Sequence, residues 1–233
     1  MRKLRRAAGA ARDWDVFAEA LSERESQSTA VQRQGLDFLI GYAHGQRVAA
    51  QDALTEASPD APFDFEALVV DTLASLQDAS NGRKSTMIHI ARPGLSELLG
   101  EFHEAATGDL QPYENLHKVR IIGKRLRYSM EIFAECFNRD FKDEYYPMVE
   151  EMQDILGRAN DSHVATGRLE FLRDLLKDSR PAAWKRFRAG IDATLRYHQR
   201  RLPRERRLFL AWWGRWQKSG AEEELTGLVA RPA

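Results

Sequence analysis

Four side chains at helical spacing carry the chemistry this sequence offers: His117, Arg120, Lys124 and Arg127. An α-helix turns about 100° per residue, so these positions fall on one side of one helix. Tyr128 and Glu131 lie beside them, and Lys118 and Arg125 flank the row. No acid occurs between Asn115 and Met130. Like charges at this spacing repel by a few tenths of a kcal/mol per pair, so the arrangement costs stability unless an anion faces it. A solvated basic face is the plainer reading of a charge run. Against it stand the regularity over three turns and the mixture of Arg, Lys and His, all donors to phosphate. Successive cations on such a face lie ~5–6 Å apart, a step that suits a linear polyanion. His117 joins the donors when protonated.

Other chemistries find no support. Six histidines are scattered through the chain without an HxxxH or HExxH pair, and a lone cysteine, Cys136, excludes zinc ribbons and internal disulfides. No Gly-x-Ser-x-Gly elbow, GxxxxGK[ST] loop or GxGxxG loop is present. Hydrolysis of a phosphoanhydride needs carboxylates to hold a metal, and only Glu131 lies near the row. The expectation is a binding protein with no catalytic residue, metal or cofactor.

The elements that must position the row are helical. On the opposite side of the same helix lie Val119, Ile122, Leu126, Met130 and Phe133, an apolar stripe for a core. Strand signals are nearly missing, and apolar residues recur at helical spacing. The pattern predicts helices at about 2–8, 13–25, 28–57, 63–79, 85–107, 113–136, 141–157, 161–178, 181–201 and 204–217. Pro59, Pro62 and Asn81-Gly82 read as breaks, Pro93 as a kink or restart, Pro147 as a first-turn residue and Pro203 as a separator. The stretch 180–218 holds twelve Lys or Arg against Asp192 and Glu205, making Arg196, Arg200, Arg201 and Arg204 secondary candidates for anion contact. Trp212, Trp213 and Trp216 follow. They read as packing residues, with base stacking beside a basic strip as the other reading.

Composition bounds the partners. Of 233 residues, 43% are hydrophobic and 30% charged, enough for a core under a highly charged surface. Lys and Arg total 35, as do Asp and Glu, so the global basic character usual for nucleic-acid binding is absent. Any anion site must come from local segregation of charge. No apolar leader segment or bilayer-length run is visible, which predicts a cytoplasmic protein without a membrane partner.

An internal repeat organises the chain. Gly9-Ala-Ala-Arg-Asp-Trp-Asp-Val16 aligns with Gly157-Arg-Ala-Asn-Asp-Ser-His-Val164. Each copy reads as a helix ending at glycine, with Asp13 or Asp161 capping the next. Together with Leu116-His-Lys-Val-Arg and Lys124-Arg-Leu-Arg-Tyr128, these motifs resemble the signatures of the CHAD domain, the conserved-histidine α-helical domain. The resemblance spans nearly the whole chain. It implies an all-α helical bundle of two related antiparallel halves and binding of inorganic polyphosphate by basic residues, possible recruitment to polyphosphate granules included. The expected layout is one CHAD-like domain over 1–217, with a partial first repeat at 1–107, a second at 108–217 and a C-terminal tail at 218–233. Family members carry a basic helix in both halves, and the first one finds no counterpart after Met1. The first half is therefore expected to be truncated at its N-terminus, and the protein to dimerise or expose apolar surface. Binding of RNA or another nucleic-acid backbone is the alternative, and a role as an accessory domain in phosphoanhydride processing a third reading.

Overall fold

The computed structural model describes residues 2–57, 66–67, 69–71, 73–74 and 87–230. The breaks expected at Pro59, Pro62 and Asn81-Gly82, and much of the helix expected over 63–79, lie outside the described residues. Among the described residues the regular structure is all helical, an all-α bundle. The helices are α1 (Arg2–Glu23), α2 (Ala30–Ala57), α3 (Met87–Thr107), α4 (Tyr113–Phe133), α5 (Tyr146–Ser179), α6 (Pro181–Lys218) and α7 (Ala221–Ala230). A 3-10 turn, Ala134–Cys136, follows α4, and a π-helical turn, Phe141–Tyr145, leads into α5. None of the described helices is long and apolar enough to cross a membrane.

Three helices run through breaks that the sequence pattern predicts. α1 passes Gly9 and Asp13, α5 passes Gly157 and Asp161, and α6 passes Pro203. Asp13 and Asp161 therefore sit inside helices and cap nothing. A glycine ends a helix by taking positive φ, and among the described residues only Gly220 does so, at 73°. In a helix interior glycine costs about 1 kcal/mol. Burial on either side, by Ala11 and Phe17 in α1 and by Leu156, Ala159 and Ala165 in α5, outweighs that. Pro93 likewise neither ends nor restarts α3. Pro147 occupies the first turn of α5, as its missing N–H favours.

The segment 218–233, expected to be a tail, contains α7. Gly220 turns the chain out of α6, and Glu222, Glu223 and Glu224 occupy the positive N-terminal end of the new helix. Ala221, Leu225 and Val229 recur every four residues and are all buried.

The chain divides into two compact units, Met1–Asn81 with Val164–Gln199, and Gly82–His163 with Arg200–Ala233. In the first, α1 lies on α2, with Phe17, Leu21, Leu36, Leu39, Leu169 and Leu172 in the core. Backbone meets backbone where Gly35 passes Gly190: a Cβ built on Gly35 would lie 2.8 Å from Gly190 Cα. The Arg168 guanidinium covers the Trp14 ring at 3.8 Å and donates to the Asp13 carbonyl at 2.8 Å.

In the second unit α4 packs on α3, and α3 also contacts α7. Leu116, Val119, Ile122, Leu126 and Met130 of α4 are buried there, and Phe133 packs against the same core. Trp212, Trp213 and Trp216 are 2%, 6% and 3% exposed, and Phe102 meets Trp212 and Trp213 edge-on at 6.2 and 5.7 Å. Their packing role holds, and they offer no ring face to a nucleic-acid base.

Candidate anion-binding site

The apolar stripe of α4 faces the core, so the rotation of the helix is set and the basic row turns outward. α4 starts at Tyr113 after Pro112, and Asn115 Nδ2 ties its first turn to the Asp109 carbonyl at 2.7 Å. Gly123 lets α5 come close: a Cβ there would lie 2.8 Å from Met152 Cε. Beside it Gln153 Nε2 donates to the Arg120 carbonyl at 3.3 Å.

His117, Arg120 and Arg127 are half-buried, whereas Lys118, Lys124 and Arg125 are exposed. His117 Nδ1 lies 3.3 Å from Tyr113 Oη, which donates to Asn160 Oδ1 at 3.0 Å. The Tyr113 ring stacks on His163, 3.5 Å between centroids and 6° between planes. Burial pushes the Tyr113 hydroxyl above its ordinary range; Arg120 opposes this, and Asp161 and Glu114 add to it. Burial pulls the His163 imidazole below its usual range, with Glu114 opposing and His117 contributing.

Arg120 carries the clearest unmet demand. Its Nε is shut off from solvent and has no hydrogen-bond partner among the described residues. Lys124 Nζ and the Arg127 guanidinium both approach the Tyr128 ring, at 5.5 and 4.6 Å. Arg127 also donates to Tyr146 Oη at 3.1 Å and lies 3.8 Å from Glu131. Burial works against its charge, but Tyr146, Tyr128 and Glu131 more than offset that and hold its pKa above the usual value.

The secondary candidates divide. Arg125 pairs with Glu101 at 2.8 Å. Arg201 pairs with Glu205 at 3.5 Å, and Arg158 reaches the same carboxylate at 3.1 Å, although Glu205 is only 3% exposed. Arg200 and Arg204 are exposed in the same unit as α4, as is Arg207, and none of the three has an ion pair among the described residues. Arg206 donates to Gln111, just before α4, at 3.2 Å. Arg196 is exposed and belongs to the other unit.

Sequence reasoning did not select Tyr113, Tyr146, Asn160 or Glu205. Tyr113 stands four residues before His117, one helical turn, and that spacing was a usable signal. The other three reach the site from distant positions. The arrangement offers clustered cationic donors, with no carboxylate paired with Lys118, Arg120 or Lys124 among the described residues. Donors of this kind suit an anion with several acceptor oxygens.

Comparison with known proteins agrees on the fold. A crystal structure of the CHAD domain from the plant Ricinus communis superposes with a TM-score of 0.60, at 24% identity, over 99% of this chain and 70% of that one. Comparison with curated proteins gave no match. The family model of the CHAD domain matches residues 1–170, which takes in the basic row and both repeat motifs. By that match the chain belongs to the CHAD domain family.

Proposed function

We propose that the protein binds inorganic polyphosphate without altering it chemically, through the α4 row. The observation that carries this reading is the Arg120–Lys124 pair on an acid-free stretch of helix, neither of them paired with a carboxylate among the described residues. His117 and Arg127 extend the row, and Lys118, Arg200 and Arg204 supply further cations. Arg207 joins them on its exposure. Binding rather than turnover fits the carboxylates at hand: Glu101, Glu131 and Glu205 each engage an arginine. The finer reading, recruitment to polyphosphate granules in the cytoplasm, follows from the same affinity.

Titration of long-chain polyphosphate at several salt concentrations tests the reading. For single-stranded polyanions log K falls against log[salt] with a slope of about −0.7 per phosphate contacted, so four contacts predict a slope near −3. Arg120→Glu with Lys124→Glu is expected to abolish binding and leave the helical circular dichroism unchanged. A flat salt dependence, or binding unchanged in the double variant, overturns the proposal. Competition with RNA of matched charge separates polyphosphate preference from general phosphate-backbone binding.

A further inference from the structure

We infer that Tyr113 and Asn160 hold His117 in its Nδ1–H tautomer, so that polyphosphate binding at this row takes up a proton on His117. The ligand rests on the reading above; the tautomer rests on the hydrogen bonds alone.

The chain of bonds can be followed atom by atom. Asn160 Nδ2 donates to the Asp161 carboxylate at 3.4 Å, which leaves its Oδ1 for Tyr113. An amide oxygen only accepts, so the 3.0 Å contact takes the single phenolic proton of Tyr113. The Tyr113 oxygen is then an acceptor toward His117 Nδ1 at 3.3 Å, and that nitrogen must carry its own hydrogen. A neutral imidazole has one N–H. With Nδ1 protonated, Nε2 presents a lone pair, and a lone pair repels a phosphate oxygen. Only the imidazolium offers Nε2–H as a donor. Arg120, Lys124 and Arg127 bring N–H donors of their own, whereas Nε2 of His117 donates on condition of a second proton on the ring.

The groups facing His117 and its partner Tyr113 set the balance. On α4 these are Tyr113, Glu114 and Arg120, and on α5 they are Asn160, Asp161 and His163. A polyanion laid along the row supplies the negative charge and the acceptor oxygens that an imidazolium Nε2–H meets. Tyr113 is thus a positioning residue: it acts on the ligand through the proton state of His117.

Two measurements test this. Nitrogen-15 NMR of the unliganded protein reads the imidazole tautomer, and calorimetry with long-chain polyphosphate in buffers of different ionisation enthalpy reads proton uptake between pH 6 and 8.5. The wild type is expected to show Nδ1–H at His117 and uptake approaching one proton, with affinity falling up to tenfold per pH unit on the alkaline side. Tyr113→Phe removes the acceptor, and Asn160→Ala releases the Tyr113 proton to His117 Nδ1. Each is expected to shift the tautomer toward Nε2–H, reduce the uptake and flatten the pH dependence. His163→Gln is expected to keep the uptake. An Nε2–H tautomer in the wild type overturns the inference. So does polyphosphate binding without proton uptake, which leaves the polyphosphate reading standing. Absence of binding at every pH overturns that reading and the proton linkage together, while the tautomer spectrum still decides whether the hydrogen-bond chain exists.

Discussion

Arg120 and Arg125 lie five residues apart on one helix and meet different fates. Arg125 is exposed and neutralised by Glu101, whereas Arg120 is half-buried and pairs with no carboxylate among the described residues. Charge alone did not separate them; surroundings did. A similar dependence on surroundings governs Tyr145, whose hydroxyl donates to Glu224 at 2.7 Å. That bond, with burial adding to it, pushes the Tyr145 pKa up to about 12. An acid with its folded-state pKa raised contributes stability that is whole below the ordinary value near 10 and is lost as pH rises through the folded value. Tyr145→Phe is therefore expected to be less stable than the wild type at neutral pH, by about 1 kcal/mol. The two should converge between pH 10 and 12. Denaturant melts across that range check it, and a difference that persists unchanged at pH 12 contradicts the assignment.

At the scale of elements, α2 and α6 cross near Gly35 and Gly190 with backbone against backbone. A Cβ on Gly190 would lie 2.7 Å from Gly35 Cα, and backbone cannot swing aside as a side chain can. Gly35→Ala should cost 1–3 kcal/mol, the usual range (order of magnitude) for overpacking a tight contact. Gly41, on the same helix, has nothing within 4 Å of the equivalent Cβ position. Gly41→Ala should instead stabilise by about 0.5–1 kcal/mol through helix propensity. Thermal melts of the two variants are expected to move in opposite directions. A Gly35→Ala variant as stable as the wild type would contradict the close crossing.

For the whole molecule, zero net charge conceals segregation: the acid-free row of α4 coexists with acids such as Glu222, Glu223 and Glu224 at the start of α7. The units are interleaved in the chain, and the second one needs α3, whose Leu95, Leu98, Leu99 and Phe102 are buried in its core. A fragment covering 108–233 contains the basic row but lacks those four side chains. Losing a single buried Leu or Phe costs ~2–5 kcal/mol, and a domain has only about 5–15 kcal/mol in total. The fragment is expected to lack a cooperative melt and dispersed NMR signals, while 82–233, which restores α3, recovers both. A cooperative melt of 108–233 would show that α3 is dispensable to that core.

The helical class, the outward basic row and the inward stripe of Leu126 and its neighbours were all legible in the sequence, because a 3.6-residue period is a local property of the chain. The packing role of Trp212, Trp213 and Trp216 was legible for the same reason. The ends of helices were not. Gly9, Gly157 and Pro203 carry local signals for a break, and burial of the residues around them overrides those signals by more than the ~1–3 kcal/mol at stake. The identity of the free cations was out of reach as well. Whether an arginine is available depends on a carboxylate brought to it by the fold, as Glu101 is to Arg125 across 24 positions, and no spacing rule reports that. The proton on His117 belongs to the same class of fact. It is set by a tyrosine one turn away and an asparagine 47 residues beyond that tyrosine, which meet because α5 is packed against α4 where Gly123 leaves room.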